Sequence, residues 1–247
     1  MNTQHEYFLH GFWGGRPVTV DDTVARIKAS FEVLKSLGEP LSGPWKVDYT
    51  NPIDVSNEDA IRTHVLASPV LDDVGEPVEG GGYIPSFELG NFQVPNSIVN
   101  DLGQFNVSVS PYASTVASRI VLSFEGDGFT VPAREHAEVL VRSFARIWQP
   151  EHLAFTDHPL LDLRHERISR TRTSGLPSWG YVSWVSDRVS RQLETVDGAT
   201  TAPYGTGTLV TTDTWDAKQA ADVWRDLLDS KRLRAIPELQ EHPPTFP

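Results

Sequence analysis

Two stretches of strict alternation follow one another with no helical pattern between them, and they limit the fold more than any other feature of the chain. Residues 104–109 put Phe105, Val107 and Val109 on one side, and residues 119–124 repeat the pattern through Ile120, Leu122 and Phe124. A period of two marks strands with one buried face. With an extended stretch over 83–92 ahead of them, three antiparallel strands fit. Elsewhere the period changes to that of a helix. Val20, Val24, Ile27, Phe31 and Leu34 recur at three- and four-residue spacing, Thr19 with Asp22 forms a capping box, and Gly38 and Pro40 supply the stop, which predicts a helix over 20–37. A shorter one is expected over 56–66, behind Ser56 or Asn57. Leu140, Val141, Phe144, Ile147 and Trp148 predict a helix with Pro132 near its first turn and Pro150 beyond its end. Ala217, Ala220, Ala221, Trp224, Leu227 and Leu228 predict a last one, capped by Asp213 or Thr214.

Further strands are expected over 7–13, 152–156, 179–185 and 208–212. The two patterns alternate without a regular βαβ rhythm, so the expected class is α+β: a mixed or antiparallel β-sheet with packed helices. The chain has 247 residues, enough to bury a substantial core. A single compact domain is expected over 1–236, with an irregular Pro-rich tail over 237–247. Trp148 and Trp224 lie on apolar helical stripes and are expected as buried anchors. Most of Trp13, Trp45, Trp179, Trp184 and Trp215 should also be core.

The distribution of charge narrows function more than its total. The net charge is −12, the wrong sign for holding phosphates, so direct nucleic-acid binding is disfavoured. Ten acidic residues against the single Arg62 between Asp48 and Asp101 give that segment −9 of the −12. It also holds Gly75-Glu76-Pro77 and Gly80-Gly81-Gly82, which mark turns and a loop. An acidic loop is either a solvated surface or a docking surface for a basic partner. Asp72, Asp73, Glu76, Glu79 and Glu88 lie in or beside it and are the candidate partner-binding residues.

Signatures of chemistry are sparse. There is no cysteine, which excludes disulfide scaffolds and thiol catalysis and makes a reducing compartment the default. Neither G-x-S-x-G nor a P-loop occurs, and Gly205-Thr206-Gly207 lacks the third glycine and the helix that would present amides to a pyrophosphate. Glu125-Gly126-Asp127-Gly128 reads as a structural turn. His152, Asp157, His158 and His165 are metal-ligating types close in sequence, but their spacing matches no strong signature, and Asp157-His158-Pro159 reads as a turn. Arg164, Arg167, Arg170 and Arg172 form a basic cluster, able to bind phosphate or to pair with the chain's own acids. No catalytic residue, metal or cofactor is therefore expected. No apolar run is long enough for a membrane span, and the first twenty residues lack a signal-peptide pattern, so the expected location is cytoplasmic, with no membrane partner.

Several short segments, in order, resemble the immunity protein 52 family of bacterial polymorphic-toxin systems. Residues 7–17 show an aromatic strand ending in the Trp-x-x-Arg turn of Trp13 and Arg16, followed by a helix, Pro40 and Trp45. Pro95-Asn96-Ser97 resembles a Pro-Asn-Ser segment of the family, placed here before the 105–109 strand rather than near the next one. Trp148-Gln149-Pro150-Glu151 is similar to its Trp-x-Pro-Asp/Glu helix end, Trp179-Gly180-Tyr181-Val182-Ser183 to its tryptophan-containing strand, and residues 205–210 to its late glycine-led strand. The resemblance implies a non-enzymatic α+β protein that binds and neutralises a cognate toxin in the producing cell. It further implies a nuclease toxin delivered by a contact-dependent route such as type VI secretion. A basic nuclease cleft would be met by the acidic segment. Two other classes stand beside this one: a metal-dependent hydrolase using the 152–165 cluster, and a small-molecule binding module using the aromatic surplus.

Overall fold

The computed structural model describes residues 6–47, 51–90, 102–111, 118–167 and 175–247. Strand β1 (Glu6–Trp13) leads into α1 (Val20–Ser36). Next come β2 (Trp45–Val47), β3 (Asn51–Pro52), α2 (Glu58–Leu66), β4 (Ser86–Gly90), β5 (Leu102–Ser108) and β6 (Ser118–Glu125). Helices α3 (Asp127–Glu135) and α4 (Ala137–Trp148) precede β7 (His152–Asp157) and α5 (His158–Arg167). Strands β8 (Val182–Ser186), β9 (Ala199–Pro203) and β10 (Gly207–Thr212), then α6 (Ala217–Asp229), complete the described elements. All ten strands form one sheet in the order β3-β2-β4-β5-β6-β1-β7-β8-β10-β9, and each neighbouring pair is antiparallel. The class is α+β in a single compact domain, and the sheet is wholly antiparallel.

Register explains the layers. Phe87, Phe105, Leu122, Leu9 and Phe155 lie opposite one another across five strands and so share a face. Helices α1 and α4 cover that face. Phe31 meets Phe87 and Phe105 with ring centroids 5.0 and 5.6 Å apart, and Phe144 meets Phe105 at 5.8 Å. On the opposite face a second core gathers Val185 and Val210 under Val223, Trp224 and Leu227 of α6. Trp148 and Trp224 are both buried, and their indole N–H groups donate to Ser30 Oγ and Pro177 O. Trp13, Trp45, Trp179 and Trp184 are also buried, while Trp215 is half-buried and stacks on Tyr181.

Several expectations need correction. The helix ending at Trp148 is two helices: α3 starts at Asp127 with Pro132 inside it, and α4 restarts after His136. Asp157-His158-Pro159 is the start of a helix, because Asp157 Oδ1 accepts from Leu160 N–H at 2.9 Å and caps α5. The last helix is capped by Asp216, which accepts from Gln219 N–H, and not by Asp213 or Thr214. The tail over 237–247 is irregular yet attached. Gly15 N–H donates to Glu238 O and Gln240 N–H donates to Gly15 O, Gln240 is buried, and Phe246 packs on Trp184 and Tyr204.

Candidate partner-binding surface

Residues 69–83 form a small hairpin between α2 and β4. Val78 N–H donates to Val70 O at 2.9 Å, and Asp72 N–H to Glu76 O at 2.8 Å. Asp72 closes the tip, since its Oδ1 accepts from the N–H groups of Val74 and Glu76, both at 2.9 Å. The base is fixed to the end of β5 by paired bonds between Tyr83 and Val109, each 3.0 Å. Gly82 makes that approach possible: its φ is +95°, and a Cβ there would lie 1.9 Å from Val109 O. The hairpin is therefore a fixed projection built by glycine and aspartate.

Its tip is exposed throughout 71–77. Asp72, Asp73, Glu76 and Glu79 are all exposed, and among the described residues no ion pair reaches them. Leu71 and Val74 stand among these carboxylates with 51% and 81% of their surface exposed. The tip therefore exposes apolar surface at its centre with carboxylates around it. The sequence reading passed over both residues, although an apolar residue inside a turn-rich acidic stretch is a visible signal.

Glu88 does not belong to this surface. It sits in the middle of β4, opposite Lys46 of β2 and Gln104 of β5, and is 5% exposed, so it cannot reach outward as expected. Two other described acids of the segment have local partners. Asp54 accepts from the backbone and hydroxyl of Ser56, and Glu58 lies 3.7 Å from Lys28 and 3.8 Å from Arg62. Asp48, Asp101 and Pro95-Asn96-Ser97 lie outside the described residues.

The histidine cluster is taken apart by strand alternation. His152 and Asp157 are five residues apart on β7, so they point to opposite faces of the sheet. Asp157 accepts from Tyr181 Oη at 2.9 Å, and His158 is exposed with Nε2 2.8 Å from Glu6 Oε2. Among the described residues no group of three His, Asp or Glu stands close enough to hold a metal. The side chains of Arg164, His165 and Arg167, and all of Arg170 and Arg172, lie outside the description.

Two of the segments that carried the family resemblance, 7–17 and 148–151, meet in one buried node. Trp13 stacks on Trp148 with centroids 6.0 Å apart, and the Arg16 guanidinium lies over Trp13. Arg16 donates to Trp148 O at 2.6 Å and to Gln240 Oε1 at 2.7 Å, while Gln240 Nε2 donates to Glu151 Oε1 at 3.0 Å. Ser186 Oγ and Arg188 complete the surroundings of Glu151. Burial pulls the Arg16 pKa down to about 9, helped by the neighbouring charge of Arg26 and opposed by Glu151. It still carries its charge at neutral pH. The Trp-x-x-Arg and Trp-x-Pro-Glu motifs are thus structural, closing the C-terminus of α4 against the turn after β1.

No protein-family model and no curated protein matches the sequence. Among solved structures, the chain is similar in fold to the Pseudomonas aeruginosa T6SS protein PA0821, with a TM-score of 0.54 and 12% identity over 97% of this chain and 79% of that one.

Proposed function

We propose that the protein is an immunity protein, of the kind its short motifs resemble, that binds a cognate toxin in the cytoplasm of the producing cell. The observation that carries this reading is the 69–83 hairpin, a fixed projection bearing four exposed carboxylates around Leu71 and Val74. A nuclease toxin must keep a positive cleft for its substrate, and such a projection can steer toward that cleft and cover it. The shared fold with a protein described as belonging to a T6SS supports a setting in which toxins are exchanged between cells. Inhibition by occlusion needs no chemistry of its own. Among the described residues no helix is long and apolar enough to cross a membrane.

The test is protection. A candidate toxin domain is expressed together with this chain in a susceptible host. Growth with the wild type, and killing when Leu71 and Val74 are both replaced by aspartate in a protein that still folds, is the expected outcome. Killing in the presence of the wild type would refute the reading.

A further inference from the structure

The sheet face that carries α6 holds a cavity of about 420 Å³ between β1, α5, α6 and the segment 175–178. Phe12, Leu161, Leu176, Trp224 and Ile236 form its apolar wall. Its walls are tied to one another. Ile236 N–H donates to Gly175 O at 2.7 Å, and Trp224 Nε1 donates to Pro177 O at 3.2 Å. A polar pair completes the lining: Ser178 Oγ lies 2.7 Å from His10 Nε2, with the two residues 9% and 8% exposed. The volume falls within the roughly 300–1,000 Å³ of small-molecule sites, and a mostly apolar wall with a few fixed polar groups is their usual make-up. A hydroxyl has one donor and two lone pairs, so Ser178 keeps hydrogen-bonding capacity after it has engaged His10.

We infer that this cavity binds a phenol: a planar aromatic ring packed on Trp224 and Phe12, with its hydroxyl bonded to Ser178. The inference is independent of the toxin-binding reading. A phenol can arrive as a free molecule or as a tyrosine side chain on another polypeptide. The test adds p-cresol, toluene or N-acetyltyrosinamide to the isotopically labelled protein and follows the Trp224 indole N–H resonance. p-Cresol should shift it saturably and bind about fivefold tighter than toluene, the effect of one neutral hydrogen bond. Ser178→Ala should erase that difference while toluene still binds, and Leu161→Trp should fill the cavity and abolish binding of both. Binding of N-acetyltyrosinamide as well as p-cresol identifies a tyrosine side chain as the ligand, and binding of p-cresol alone identifies a free phenol. No saturable shift with p-cresol, equal affinity for toluene, or binding that survives Leu161→Trp would overturn the inference.

Discussion

Arg16 ties together the turn after β1, the end of α4 and the C-terminal segment. Its donors meet Trp148 O, Gln149 O and Gln240 Oε1; of these, Gln149 O also accepts from Gln240 Nε2. Hydrogen bonds to a charged group contribute about 1.5–3 kcal/mol each, and stranded buried acceptors add to the loss. Arg16→Met should therefore cost at least about 3 kcal/mol in chemical denaturation. A loss below about 1 kcal/mol would mean that the node is solvated. Tyr181 gives a pH-dependent counterpart. Its hydroxyl bonds Asp157, and burial, with the Asp157 charge, raises its pKa. A raised folded-state pKa contributes stability that is complete below the unfolded value of about 10 and is lost as pH rises beyond it, because only the unfolded chain then releases the proton. Stability should fall with alkaline pH above about 10, and Tyr181→Phe should flatten that fall. An unchanged alkaline slope in the variant would contradict the assignment.

At the scale of elements, the caps decide where helices begin. Asp216→Ala removes the acceptor for Gln219 N–H and should cost about 1 kcal/mol, while Asp213→Ala should cost a few tenths at most. Equal losses measured by thermal unfolding would return the cap to Asp213. The same residues show why sequence reading stops where it does. Alternation through Ile120, Leu122 and Phe124 and the stripe of α1 were legible because each buries one face against many partners. Strands β2, β3 and β9 were not, since two or three residues carry no period and β9 at the sheet edge is half exposed. The break at His136 was hidden because α3 and α4 join without a glycine and share an apolar stripe. Four of the five candidate acids, Asp72, Asp73, Glu76 and Glu79, stand exposed on the hairpin that the turn signals marked. Glu88 was misplaced because a charged residue in a short strand reads like one in a loop, and only pairing on both sides reveals its burial.

For the whole molecule, the motifs of the family resemblance and the proposed working surface lie apart in kind. Trp13, Arg16, Trp148 and Glu151 stabilise the interior, whereas the 69–83 hairpin, bonded at its base to Val109, has an exposed tip. A chain could keep the first and vary the second to follow a changing partner. The central claim is that carboxylates of the hairpin steer a basic toxin to it. Asp72 also holds the tip through Oδ1, so its charge is best removed as Asp72→Asn, which keeps that acceptor, together with Asp73→Lys, Glu76→Lys and Glu79→Lys. The direct measurement is the association rate with the cognate toxin at about 50 mM and about 500 mM salt, where screening lengths differ severalfold. The wild type should associate faster at low salt, and the fourfold variant should be slower there with most of its salt dependence gone. Wild-type rates for the variant at both salts would contradict the account and place the interface elsewhere on the molecule.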